Sequence, residues 1–282
     1  MVLAMAAFAV EDAFIKAAAQ TLPTGQILIL LSLAGTPLLA LLVWARGMRV
    51  FDPAALSRPV LLRNAGELVG TICFITALAL VPLSTASAIL QALPLAVTLG
   101  AALFLGETVG WRRWSAIMAG FAGVLLILRP GAAGFDPAAL FVVGAVAALA
   151  TRDLVTQRIR AAVGSLQLAT WGVATLLPAG LILLPFGAPP VMPGLREAGL
   201  MVGVTLSGLA AYLCLMQATR GADVSFVAPF RYTRIVFALL LGMAVFGERP
   251  DLPTLAGAAL IVASGLYTFA RERRLSLARR SG

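Results

Sequence analysis

Long apolar stretches recur along the chain, each closed by Arg, Pro, Gly or Asp, and ten can be delimited: residues 2–19, 26–45, 61–80, 83–105, 112–129, 138–158, 165–185, 196–217, 223–246 and 252–270. A helix needs about 20 mostly apolar residues to cross the hydrocarbon core of a bilayer, and these runs meet that length. They lack the period-2 alternation of outer-membrane strands, so helices are predicted. The pattern describes an all-α polytopic membrane protein of ten transmembrane helices.

The polar residues that interrupt this pattern repeat at one spacing. Asp12, Gln26, Cys73, Ser84 and Glu107 are each followed 141 residues later by the same residue type, at Asp153, Gln167, Cys214, Ser225 and Glu248 (153 − 12 = 248 − 107 = 141). Phe104-Leu105-Gly106-Glu107 matches Val245-Phe246-Gly247-Glu248 in the same register. One five-helix unit is written twice, over residues 1–135 and 136–270, with a basic tail at 271–282. Five is odd, so the second copy enters the bilayer from the opposite side. That predicts two inverted five-helix repeats around a central cavity, an organisation frequent in secondary transporters.

Composition agrees: 61% of residues are hydrophobic and only 12% charged, far more apolar than a soluble domain. Of 21 Lys and Arg, Arg152, Arg231 and Arg234 fall inside spans, while Lys16, Arg129, Arg196 and Arg249 lie near one set of span ends. The other fourteen (21 − 3 − 4) crowd the opposite set and the tail. Basic loops stay in the cytoplasm, so both termini are expected there. The net charge of +9 is then spread over short loops facing anionic headgroups, which makes membrane lipid the partner and argues against nucleic acid. Arg112 and Arg113 between Trp111 and Trp114 read as an interfacial anchor.

Ionisable side chains inside a span are costly and normally face a cavity or a partner. Here they select their helices: Glu11 and Asp12 in span one, Arg63 and Glu67 near the start of span three, Arg152 and Asp153 in span six, Arg231 and Arg234 in span nine. Arg63 and Glu67 are spaced i, i+4, and an ordinary ion pair is their expected role. Arg152 and Asp153 are adjacent, about 100° apart on a helix, so at most one is expected to look straight into the cavity. Arg231 and Arg234 stack two cations on one side of span nine, with Tyr232 beside them. Their counter-anion is Glu11, Asp12 or the carboxylate of a substrate. Softer candidates on these helices are Tyr212, Tyr232 and Phe226 for stacking, and Gln91 and Gln217 for hydrogen bonding. Packing is the expected role of Trp171. Ala116, Ala119, Gly120 and Gly123 form small-xxx-small pairs that serve either a dimer face or packing within one subunit, so a monomer and a homodimer both stay open.

The chain has no histidine, and its two cysteines sit apart in the middle of apolar spans. Histidine-based catalytic arrangements and metal ligation are thereby excluded, and no cofactor or metal is expected. Acids within the first span argue against a cleavable signal peptide.

The two five-helix halves, Gly106-Glu107 and Gly247-Glu248 closing the fourth span of each, Leu128-Arg129-Pro130-Gly131 and Ala228-Pro229-Phe230-Arg231-Tyr232-Thr233 resemble the EamA family of the drug/metabolite transporter superfamily. The resemblance implies a ten-helix basket whose cavity is lined by spans one, three, four, six, eight and nine, with five and ten outside. It also implies a bacterial inner-membrane setting and substrates of the kind that family members carry: aromatic and other amino acids, riboflavin, S-adenosylmethionine and nucleotide sugars. The Gly-Glu pairs match a family landmark, with the carboxylate expected on local backbone or a nearby base. One departure stands out: Pro94 in span four corresponds to Ile235 (94 + 141), and the second-half proline is Pro229, so the two halves need not kink alike.

The reading that follows is a secondary transporter of amino acids or related metabolites, working by alternating access and favouring export. The expected substrate contacts are Glu11, Asp12, Gln91, Asp153, Tyr212, Gln217, Arg231, Tyr232 and Arg234. Proton antiport and facilitated diffusion remain equally open. A carrier for riboflavin, S-adenosylmethionine or a drug-like compound is the nearest alternative. A membrane-embedded enzyme lacks a nucleophile–base pair or metal cluster, and a non-transporting subunit gives no reason for charges on those helices.

Overall fold

The computed structural model describes residues 1–106, 110–132, 135–159, 163–219 and 227–280. Glu107, Ser225 and Phe226, singled out above, lie outside the described residues, as do Arg160 and Arg220 among the basic residues counted there. The helices are α1 (Val2–Ala18), α2 (Thr24–Ala45), α3 (Arg58–Leu80), α4 (Leu83–Leu90), α5 (Leu93–Phe104), α6 (Trp111–Leu128), α7 (Ala139–Thr156), α8 (Ser165–Ala174), α9 (Leu176–Leu183), α10 (Leu195–Thr219), α11 (Thr233–Phe246) and α12 (Leu252–Arg280). No strand occurs among the described residues.

They make ten spans, because α4 with α5 forms the fourth, α8 with α9 the seventh, and the 3-10 turn Ala228–Tyr232 with α11 the ninth. Nine of the ten reach 18 apolar residues; α1, with 17, lies at the short end of what crosses a bilayer. Ten crossings return the chain to the face on which it began, here called the terminal face.

The fourth span breaks at Gln91 and Ala92, and Pro94 follows in the first turn of α5, where its missing N–H leaves no helical bond unmade. The ninth span is interrupted through Tyr232, with Pro229 in the 3-10 turn. Since 91 + 141 = 232, both breaks fall at one repeat position. Different prolines thus accompany an interruption at the same repeat position in both halves.

Related helices pack across the two halves in matched pairs: α3 on α7 and α1 on α10, α2 on α8 and α9, α6 on α12. They run antiparallel, as Gly25 at the start of α2 against Gly180 near the end of α9 illustrates. Gly123 of α6 and Gly257 of α12 touch backbone to backbone; a Cβ on Gly123 would lie 2.7 Å from the Gly257 carbonyl oxygen. The small residues of span five thus serve packing within the chain. Trp111 and Trp114 are exposed at the start of α6, and the Arg112 guanidinium sits 5.3 Å from the Trp111 ring centroid, as an interfacial anchor would.

The repeated glutamines explain themselves here. Gln26 holds the connection after span seven, its amide donating to the Val191 carbonyl (2.6 Å) and accepting from the Val191 N–H (3.0 Å). Gln167 holds the connection after span two, donating to the Arg49 carbonyl at 2.8 Å. Each half pins a loop of the other.

Candidate functional site

Between the halves lies a cavity of about 680 Å³. Its wall runs from Thr156, Ser165 and Leu215 near the terminal face inward to Ile15, Ile75 and Leu176. Spans one, three, four, six, eight and nine line it, and among the described residues none of α6 or α12 does. Spans two and seven also contribute, through residues such as Leu31, Leu38, Leu168 and Leu176, which extends the six-span lining that the family resemblance implied. Those two spans supply apolar wall, and the charge comes from four of the other six: one, three, six and nine.

Beyond Ile15 and Ile75 the far end is closed. Glu248, just past α11, accepts hydrogen bonds from the Leu83 and Ser84 N–H groups (2.5 and 2.9 Å) and the Ser84 hydroxyl (2.7 Å), capping the N-terminus of α4. Lys16 donates to the Leu78 and Val81 carbonyls and lies 3.9 Å from Glu248. The carboxylate of this Gly-Glu pair is thus held by the backbone of another span rather than by its own loop. Sequence reasoning missed this closure, although Ser84 and Glu248 both sit at repeated positions.

Asp12 and Arg234 form a bidentate pair at 2.6–3.1 Å, and the guanidinium also lies 5.2 Å from the Phe8 ring and 5.8 Å from Phe74. On the other wall, Glu67 bridges Arg63 (2.8 Å) and Arg152 (3.1 Å), and Arg152 turns back to Asp153 at 2.8 Å. The expected Arg63–Glu67 pair is present, as part of a larger network. Arg152 and Asp153 both border the cavity. The long arginine side chain curls across the 100° that separates their Cβ directions.

Two charged groups are left over. The Arg231 guanidinium and the Glu11 carboxylate line the cavity without a hydrogen-bond or ion-pair partner among the described residues. Gln91 supports the Arg231 backbone, donating to its carbonyl at 3.2 Å. Tyr212 lines the wall. Tyr232 borders it, but its ring meets Phe269 edge-on and its hydroxyl abuts Gly265, pointing towards α12. Gln217 is exposed and outside the lining; two residues beyond the lining Leu215, it is rotated by about 200° around α10. Trp171 is also outside, donating to the Val50 carbonyl at 2.8 Å.

Ten apolar spans enclosing a charged, one-sided chamber define a polytopic membrane transporter. The chain belongs to the EamA-like transporter family, which it matches over residues 1–129 and again over 136–270. It is 32% identical over 270 residues to a pseudopaline exporter of Pseudomonas aeruginosa, covering 93% of this chain and 91% of that one. A riboflavin transporter of Rhizobium johnstonii is 33% identical over 207 residues (73% and 68% covered). An S-adenosylmethionine uptake transporter of Rickettsia bellii is 27% identical over 198 residues (70% and 67%). A solved crystal structure with 22% identity superposes over 97% of both chains with a TM-score of 0.67, which shows the shared fold.

Proposed function

We propose that this transporter carries small zwitterionic metabolites, amino acids or their derivatives, out of a bacterial cell across the inner membrane by alternating access. In this reading residues 1–135 and 136–270 are inverted units that rock about the cavity, and both termini and the basic tail are cytoplasmic. The observation that carries it is a pair of charges in the cavity lining, Arg231 and Glu11, that no ion pair engages among the described residues. A zwitterion brings a carboxylate for the first and an ammonium for the second, each a charge-assisted hydrogen bond in a low-dielectric site. Closure at the far face and a wall reaching the terminal face fit a state loaded from the cytoplasm. The exporter among the relatives, aligned over nearly the whole chain, supports the direction.

Riboflavin and S-adenosylmethionine form a second reading, favoured by the names of two relatives. The test is flux of labelled amino acids, S-adenosylmethionine and riboflavin in vesicles containing the purified protein, against empty vesicles. Arg231→Gln is expected to weaken a carboxylate-bearing substrate at least about tenfold, since a hydrogen bond to a charged group contributes about 1.5–3 kcal/mol. Equal flux in the variant removes the carboxylate contact, and no flux of any compound removes the reading.

A further inference from the structure

The connections after spans two and seven are repeat mates, and each is held by the other half: the Arg49 carbonyl accepts from Gln167 at 2.8 Å, the Val191 carbonyl from Gln26 at 2.6 Å. Both turn an apolar side chain outward at one repeat position (51 + 141 = 192), where Phe51 is 93% and Met192 92% exposed. On the terminal face Trp44 at the end of α2 and Leu56 before α3 are exposed as well. Large apolar and aromatic groups beside span ends lie at the depth of the headgroups and upper acyl chains.

Charge is what distinguishes the two connections. Arg46, Arg49 and Arg58 are exposed on the terminal face, and their mates on the far face are Gly187, Pro190 and Gly199. The terminal connection holds one acid, Asp52, whose Oδ1 already accepts from the Ala54 N–H at 2.8 Å. Arg46 donates to the Met216 sulfur at 3.4 Å, whereas the Arg49 and Arg58 guanidiniums have no hydrogen-bond or ion-pair partner among the described residues. Two uncommitted guanidiniums beside an outward phenylalanine suit an anion held at the membrane surface, and guanidinium forks match phosphate oxygens two at a time.

The inner side of the same connection belongs to the cavity wall. Met48 and Val50 pack with Val43 and Leu166 in a small apolar cluster that also takes in Leu209 and Tyr212, and the last two line the chamber. Trp171 fastens the Val50 carbonyl to span seven. A ligand gripped on the outer side therefore steadies the wall at the open mouth.

We propose that the connection after span two is a binding site for the headgroup of an anionic phospholipid: Arg49 and Arg58 grip the phosphate, Phe51 and Leu56 sit among the chains, and the bound lipid braces the terminal wall of the cavity. Positive charge on one face also orients a chain during insertion, but that signal is spent once the protein is folded. A lipid site persists, and it can be read without any transport.

The first test uses a fluorophore on Phe51→Cys or Met192→Cys, with Cys73 and Cys214 replaced by Ala, in vesicles of phosphatidylcholine and phosphatidylglycerol in which one lipid or the other carries brominated chains. The label at 51 should be quenched more by brominated phosphatidylglycerol, and the label at 192 equally by both. Replacing Arg49 and Arg58 by Gln leaves the clamped backbone in place and should weaken the preference at 51 by roughly fivefold for each arginine. Equal quenching at 51 by the two lipids, or none by either, overturns the site. The second test follows the unfolding midpoint of delipidated protein in nonionic detergent. A ligand of the folded state raises it, so short-chain phosphatidylglycerol should raise it by several degrees, and short-chain phosphatidylcholine or inorganic phosphate should not. The rise should disappear in the Arg49→Gln, Arg58→Gln variant. A rise of the same size in that variant places the headgroup elsewhere, one produced by phosphate alone makes the ligand a soluble anion, and no rise in the native protein removes the brace; each overturns the proposal.

Discussion

Arg231 and Arg234 stand one helical turn apart and look interchangeable in sequence, yet the fold separates their roles. Arg234 is enclosed by two carboxylate oxygens and two aromatic rings, whereas Arg231 faces the open chamber. Removing one partner of a buried pair strands the other, at about 3–5 kcal/mol. Asp12→Asn should therefore lower the thermal unfolding midpoint by several degrees without any substrate, and Arg231→Gln should leave it nearly unmoved; equal shifts would refute the division. That charges gather on spans one, three, six and nine was legible from single letters, because lipid forbids them elsewhere. Which charges pair was not, because Arg152 reaches Glu67 and Asp12 reaches Arg234 from distant parts of the chain, and arginine is long enough to choose among several acids.

At the scale of elements, the ten spans were legible to within a few residues at most ends, since hydrophobic length fixes them directly. The matched interruptions of the fourth and ninth spans were hidden, because a helix break is set by what packs around it and only loosely by where proline stands. The α6–α12 contact has little slack. Gly123→Val should force those helices apart and destabilise the protein by about 1–3 kcal/mol, the usual cost of overpacking, read as a lower unfolding midpoint. The entry to α12 adds a pH term. Asp251 accepts from Thr254 and pairs with Arg129 at 2.7 Å, and these contacts hold its carboxyl below the ordinary carboxylate value. A depressed folded value means that the stabilisation is complete above the unfolded value of about 3.9 and disappears as pH falls through the folded one. Thermal unfolding of native protein and Asp251→Asn should therefore differ at neutral pH and converge in acid.

For the whole molecule, the chamber is sealed at one face by Lys16, Glu248 and the start of α4, three elements that meet nowhere else in the sequence. Glu248→Ala removes the cap that joins them. In a background with Cys73 and Cys214 replaced by Ala, a cysteine at Ile75 should react with a membrane-impermeant thiol reagent from that face several times faster once Glu248 is changed; equal rates would mean that the seal lies elsewhere. The reciprocal glutamine clamps carry a consequence for biosynthesis. Gln26 leaves the ribosome more than a hundred residues before Val191, the backbone group it grips, so the early half must wait in the membrane with a loop-binding amide unanswered. Assembly is then a mutual handshake completed only when the late half arrives. Two separately encoded halves, made in the same cell, should find each other and protect one another from proteolysis, where either made alone is degraded.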